Sequence, residues 1–523
     1  MAGTLDDPRR IARARTAPSP RRPRRYGAPV AALLKRLVTS GAAYQASSVL
    51  SAILALGTLP LYTRHLTKAE YGYAETLLTF IIFSSILLRA GVGEAFVRLY
   101  FDDEDGNRRD DLARTATLFV AITTTVAVGI LLLFAEPMSR LIIGESDPEL
   151  MELGLLGLWA FTNLEMAYAL LRVDERRRAY LIASCGNVVL TVALTITLVV
   201  VRDGGARGYL LGNYGASAVI LLGLWWTMRH RVGLWRPRRR GLRPMLRFGV
   251  PTVPAEGTTY ALNVVDRSYL LHSQGAGEAG LYALAVKLAT VVIVAVRGFQ
   301  YAWPPLAYSV TDDGEAKRLY SRVTTYYVLV TGLVVAGIVL LGRWVVRLLA
   351  APEYFEAHTA LPWLAFGWAL YGLLLVFVTI AGRAKVTTRT FPGAVAGLSV
   401  NVLVLLWLTG PLGIVGAGIA LCAAYVVMLA IVHVLTRRAF AVPFEWGRLA
   451  VLLLVLGGLA IGGELLLPTD GWAGFLSRAA VAAAIPAVLL GLGFLDASER
   501  AGLRSLSTQM RARLARRGAV DEE

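Results

Sequence analysis

Four cations stand inside long apolar runs of this chain: Arg89, Arg267, Lys287 and Arg297. A charge at membrane depth is costly, so each needs water, a partner or a ligand and is a functional candidate. Arg89 and Arg297 lie 208 residues apart at matching places in two copies of one pattern. Arginine grips phosphate and pyrophosphate through forked hydrogen bonds, so two guanidiniums on a shared cavity would suit a diphosphate. The alternative is snorkelling to the inner headgroups. Lys287 lies deeper and has Thr79 as its counterpart in the first copy; this unmatched cation is expected to line the cavity. Arg267 adjoins Asp266, and the two either form a local ion pair that ends the helix or, pointing about 100° apart, go separate ways.

Acidic candidates for ion coupling or for counter-ions are Asp266, Glu256, Glu75 and Glu165, because a buried carboxylate can exchange a proton. Glu75 lies close to the outer end of its segment and is the one expected to be solvated. Glu94 and Glu464 also sit near segment ends. Asn187 and Asn401 are expected to hydrogen-bond between helices. Gly57 and Pro60 in the first apolar segment, and Pro251, Pro254 and Gly257 in the seventh, are candidate hinges, with static kinks as the alternative.

These residues sit on elements that cross a membrane. The 523-residue chain is 56% hydrophobic with a mean hydropathy of +0.57, and its apolar residues come in runs long enough to span hydrocarbon. The segments fall near 41–63, 71–93, 112–134, 150–171, 178–200 and 207–227, then 248–271, 279–303, 323–345, 358–381, 391–409 and 413–435, and finally 447–467 and 474–495. The fold expected is an all-α polytopic membrane protein of about fourteen transmembrane helices: two pseudo-symmetric six-helix bundles plus two C-terminal helices. Its parts would be a basic cytoplasmic tail (1–40), a first bundle (41–228), a basic linker (229–247), a second bundle (248–436), two added spans (437–496) and a C-terminal tail (497–523).

The bundles are expected to be copies. Residues 70–133 align with 278–341 without a gap, bringing Glu70 onto Glu278, Gly72 onto Gly280, Tyr100 onto Tyr308, Asp105-Gly106 onto Asp313-Gly314 and Arg114 onto Arg322. At the same shift Gly205 and Gly208 fall on Gly413 and Gly416. Such duplication marks many transporters. The net charge of +17 is concentrated on alternate loops and the tails, which argues for topology rather than nucleic acid and places both termini in the cytoplasm. Cys185 and Cys422, each in an apolar run, read as small buried hydrophobes. The acidic clusters at Asp102–Asp105 and Asp312-Asp313 read as solvated loops with structural links. No phosphate-binding loop, Cys-His metal spacing or nucleophile elbow occurs, so neither a catalytic residue, a metal nor a cofactor is expected. The short external loops weigh against the different-class alternative, a membrane glycosyltransferase or polysaccharide polymerase.

Several stretches resemble bacterial polysaccharide flippases of the multidrug/oligosaccharidyl-lipid/polysaccharide exporter superfamily. They are Leu59-Pro60-Leu61-Tyr62-Thr63-Arg64 running into Glu70-Tyr71-Gly72-Tyr73, Gly91-Val92-Gly93-Glu94, Asp266-Arg267 followed by Glu278-Ala279-Gly280-Leu281-Tyr282, and Pro411-Leu412-Gly413-Ile414-Val415-Gly416. The resemblance implies translocation of an undecaprenyl-diphosphate-linked oligosaccharide from the inner to the outer leaflet of a bacterial cytoplasmic membrane by alternating access. It also implies a proton or sodium as coupling ion, polymerase and export components as pathway partners, and a cationic cavity built from Arg89, Arg267, Lys287 and Arg297. The two added spans resemble those that help seat the lipid tail in lipid II flippases. A lipid II flippase is the nearest alternative and a drug/cation antiporter the next.

Overall fold

The computed structural model describes residues 50–102, 105–232, 241–386 and 390–494. Expectations for the tails (1–40 and 497–523) and the centre of the linker (229–247) concern residues outside these. Among the described residues the chain is helical and has no β-strand. The helices are α1 (50–65), α2 (Lys68–Arg89), α3 (Val92–Asp102), α4 (Gly106–Leu132), α5 (Ala135–Ile143), α6 (Pro148–Val173), α7 (Arg177–Thr195, continued by a π-turn), α8 (Gly205–Thr227) and α9 (Arg229–Val232). They continue as α10 (Leu242–Gly249), α11 (Val253–Gln274), α12 (Ala276–Ser309), α13 (Asp313–Leu349), α14 (Leu361–Arg383), α15 (Thr390–Leu412), α16 (Ile414–Arg437), α17 (Trp446–Leu466) and α18 (Gly471–Gly491).

Twelve of these helices are long and apolar enough to cross a membrane among the described residues, so this is a multi-pass membrane protein. Helices α1 and α11 stand where the other two expected spans fall. Helix α11 carries Glu256, Asp266 and Arg267 along its length, which lowers its hydropathy.

Capping fixes several helix starts. Thr67 and Glu70 close a reciprocal capping box on α2. The Asp105 side chain caps α4 (Asn107 N donates at 3.0 Å), and Asp312 caps α13 (Glu315 N donates at 2.7 Å). Asp313 pairs with Arg383 at 2.7 Å. The described acidic loop residues are therefore helix caps and surface links.

The duplication is visible in the backbone. Gly205 and Gly413 adopt φ of +53° and +54°, which only glycine takes up readily. The carboxylate of Glu70 lies against Gly205 and that of Glu278 lies near Gly413. In one half α2 packs on α6, α6 on α4 and α8, and α7 on α8. In the other α12 packs on α14, α14 on α13 and α16, and α15 on α16, while α17 and α18 lean on α13. The halves meet chiefly along α2 with α12 and α11. At this crossing Gly72 faces Gly280, and a Cβ on Gly72 would strike the backbone of Ala276 and Gly280.

The copies diverge at one place. Helix α2 ends at Arg89, where Ala90 and Gly91 turn left-handed (φ +47° and +66°) before α3 begins. Helix α12 runs unbroken through the matching Arg297 and Gly298. The break is tied to packing, because Gly91 lies directly against the backbone of Gly249 and a regular helix would not make that approach. Among the candidate hinges, Pro251 lies in a 3-10 turn (Val250–Thr252) that separates α10 from α11. Pro254 sits in the first turn of α11, where its missing N–H costs nothing. Gly257 lies inside continuous α11, and Gly57 and Pro60 inside continuous α1; these three do not interrupt their helices.

Candidate functional site

The deepest polar cluster joins the halves near the Gly72–Gly280 crossing, the end that loop charges assign to the outside. Glu75 on α2 lies three residues beyond Gly72, and Lys287 on α12 lies seven beyond Gly280; each is on the same helix face as its crossing glycine. Lys287 Nζ donates to Glu75 Oε1 at 2.7 Å, to Tyr209 OH at 2.8 Å and to Tyr71 OH at 3.2 Å. Tyr209 in turn donates to Glu75 Oε1 at 2.8 Å. Arg267 Nη1 donates to the Glu75 carbonyl at 2.8 Å, to Glu75 Oε2 at 3.3 Å and to Thr79 Oγ1 at 2.5 Å. One carboxylate thus neutralises two cations of the opposite half. Nearby, Tyr354 donates to the Leu66 carbonyl at 2.9 Å and Ala351 N to Thr63 Oγ1 at 3.1 Å, so this end is closed.

Two expectations change here. Glu75, expected to be solvated, is 5% exposed, because the close glycine crossing carries it into the interface. Arg267 and Lys287 are turned to Glu75 in this conformation, Arg267 through Nη1 and Lys287 through Nζ. The Asp266–Arg267 pair does not form. Asp266 is buried, accepts from Tyr282 OH at 3.0 Å and lies beside Asn401. Asn401 on α15 faces Asp266 across the contact of α15 with α11, as an interhelical pair, whereas Asn187 Oδ1 has no hydrogen-bond partner. Cys422 is buried as expected, whereas Cys185 is only partly so.

The other pair of arginines lies elsewhere. Arg89 is fourteen residues beyond Glu75, ~21 Å along the helix. With Arg172, Glu94 and Glu165 it lines a cavity of about 320 Å3. Gly93 lies beside its guanidinium, with a Cβ there 3.9 Å from Arg89 Nη1, at ordinary contact distance. Glu256 on α11 is within electrostatic reach of Arg89 and Glu94, so the opposite half also contributes to this end. Arg297, ten residues beyond Lys287 or ~15 Å along α12, is exposed and within electrostatic reach of Tyr371. The four cations therefore form no single site: two are locked at the outer end, and Arg89 belongs to a distant cavity.

Sequence reasoning missed Tyr71, Tyr209 and Thr79 as partners of the lock, and Arg172 as a neighbour of Arg89 in the cavity. It also missed an apolar groove of about 1170 Å3 lined by α13, α14, α16 and α17. Thr324 and Arg343 on α13 both line it, so it runs ~28 Å along the helix, close to the ~30 Å hydrocarbon thickness.

Two pseudo-symmetric halves that cross at paired glycines, closed at one end and polar at the other, define the class of fold used by lipid flippases and multidrug exporters. A structure described as the lipid II flippase MurJ in an inward closed conformation matches with a TM-score of 0.71 at 13% identity, covering 86% of this chain and 98% of that one. An inward-facing multidrug resistance MATE family transporter of the MOP superfamily matches at 0.61 and 16% identity, covering 74% of this chain and 94% of that one. Its outward-facing counterpart matches at 0.55 and 16%, covering 77% and 94%. These solved proteins are described as transporters and a flippase, not as enzymes. No curated protein matches the sequence. A family model described as polysaccharide biosynthesis protein matches residues 37–306, just over half of the chain, and the chain belongs to that family.

Proposed function

We propose that the protein is a flippase that carries a polyprenyl-diphosphate-linked oligosaccharide from the inner to the outer leaflet of a bacterial cytoplasmic membrane, by alternating access and without bond chemistry. The observation that carries this reading is the cavity lined by Arg89 and Arg172 at the cytoplasmic end, opposite a closed outer end. Guanidiniums there suit the diphosphate, and Glu94 and Glu165 suit sugar hydroxyls as acceptors. The prenyl chain stays in lipid or in the groove beside α13. As the outer end opens, Glu75 releases Arg267 and Lys287, which then meet the diphosphate on its way across; Arg297 lies as far beyond Gly280 as Arg89 lies beyond Gly72, at the cytoplasmic level. Asp266 with Asn401 is the coupling-ion candidate, for a proton or sodium. Glu256 and Glu165 act as counter-ions to the arginines, and the turn at Pro251 and Pro254 is a candidate hinge. Both termini lie in the cytoplasm, and polymerase and export components are the expected pathway partners.

The test is a leaflet-resolved assay in vesicles carrying a lipid-diphosphate oligosaccharide. Arg89→Ala, Arg297→Ala and Lys287→Ala are expected to slow headgroup translocation by tenfold or more, the worth of one charge-assisted contact. Rates equal to wild type in all three would overturn the assignment. The likeness to MurJ favours lipid II as a second substrate reading, and the same assay loaded with lipid II decides between them.

A further inference from the structure

Between the outer lock and the cytoplasmic cavity, α11 turns a polar stripe toward the first half. Glu256, Tyr260, Asn263 and Arg267 follow one another at spacings of four, three and four residues, which keeps them within about 60° on one helix face. Three of the four are placed against the first half. Arg267 bonds to Glu75 on α2. Tyr260 is within electrostatic reach of Glu75 and of Tyr214 on α8, and Glu256 is within reach of Arg89 and Glu94. Asn263 shares that face, ~6 Å along the helix from Arg267 on its cytoplasmic side. Across the seam Tyr214 is pinned: a Cβ on Gly157 of α6 would strike its ring, and Phe161 meets it edge-on at 6.3 Å. Tyr260 and Asn263 are half-buried, and neither their side chains nor that of Tyr214 hydrogen-bond to another residue among those described. A carboxamide and two phenols without partners at membrane depth are costly unless a polar ligand or water visits them.

This level is neutral on every helix that borders it. Helix α11 carries no charged side chain between Glu256 and Asp266, α2 none between Glu75 and Arg89, and α8 none beyond Arg207. An anion has nothing to grip here. Sugar hydroxyls and N-acetyl groups both donate and accept, as carboxamides and phenols do. We propose that Tyr260, Asn263 and Tyr214 form a glycan station, which hydrogen-bonds uncharged, hydroxyl- or N-acetyl-bearing sugars of the headgroup while the diphosphate is held at a charged level beside it. The assignment rests on the flippase reading and adds what the path takes besides the diphosphate.

The test measures equilibrium binding to the purified full chain by native mass spectrometry with two probes, undecaprenyl diphosphate and the same lipid carrying an N-acetylated disaccharide. The readout is the ratio of the two affinities, in which a general loss of binding cancels. Wild type is expected to favour the glycosylated lipid by about tenfold or more. Asn263→Leu and Tyr260→Phe keep the shape and remove only polar atoms, and each is expected to lower the ratio about threefold to tenfold. Asn263→Gln keeps the carboxamide and is expected to retain part of the preference. Should Asn263→Leu not fold, Tyr260→Phe carries the test. A ratio equal to wild type in the variants overturns the station, whether both affinities hold or fall together, as does a wild type that binds the two lipids alike. Translocation is read separately in vesicles. A protein that shows the expected ratios but moves no headgroup refutes the proposed function and leaves the station standing; movement with unchanged ratios does the reverse.

Discussion

Replacing Glu75 with Gln keeps the shape of the lock and removes its only negative charge. Lys287 and Arg267, with side chains 21% and 11% exposed, would then face each other without compensation. Breaking a buried pair by removing one partner costs ~3–5 kcal/mol. Because the amide oxygen can still accept from Lys287, the lower end applies, ~3 kcal/mol. The loss falls on the state in which the halves meet at this end, so the equilibrium between closed and open outer ends should move by about a hundredfold. Electron-electron resonance between spin labels on Ser146 and Glu353, both exposed at this end, reads that equilibrium once Cys185 and Cys422 are replaced. Wild type should give one short distance and Glu75→Gln a dominant longer one. Adding Lys287→Met removes the orphaned cation and should restore much of the short distance, giving a coupling of ~1–3 kcal/mol in the double-mutant cycle. If Glu75→Gln leaves both the distances and the thermal midpoint unchanged, the cluster is not a lock.

Three further outcomes are expected. Gly72→Val should prevent closure at the same end, because the added carbons meet the backbone of Ala276 and Gly280 rather than a side chain that can swing away; the same labels would show it, and a wild-type distribution would contradict the packing. Arg478→Met should lower the thermal midpoint and speed proteolysis near α17–α18, as the fully buried guanidinium no longer ties Glu464 and the carbonyls of Pro468 and Leu467 together. Burial first, and then the charges of Arg343 and Arg347 against a backbone hydrogen bond, hold the His358 pKa below its ordinary value. The unfolded chain therefore binds the proton more readily, so stability should fall as pH drops through about 6.5 and below. His358→Asn should flatten that limb of a thermal-midpoint titration, and an unchanged limb would remove His358 as its source.

Much of this architecture can be read from the chain because apolar runs of bilayer length and a gapless 208-residue repeat leave few alternatives. The buried cations were legible for the same reason: Arg267 and Lys287 interrupt apolar runs. Their partner was not, because Glu75 is 192 and 212 residues away and nothing local fixes the register of α2 against α12. A signal did exist, in the repeat-related Gly72 and Gly280 with charges three and seven residues beyond. The groove was invisible for a different reason: its lining is ordinary apolar sequence, and only the placement of α17 beside α13 leaves the space. The divergence of the copies was equally hidden. The chain breaks at Ala90–Gly91 after Arg89 but not at Gly298 after Arg297, and Gly249 packs against Gly91.

That broken helix opposite an unbroken one has a mechanical meaning. One twin has an elbow at Ala90–Gly91 and the other a straight shaft, so when the two ends exchange open and shut, one arm can fold at a joint while its partner has to tilt as a rigid rod.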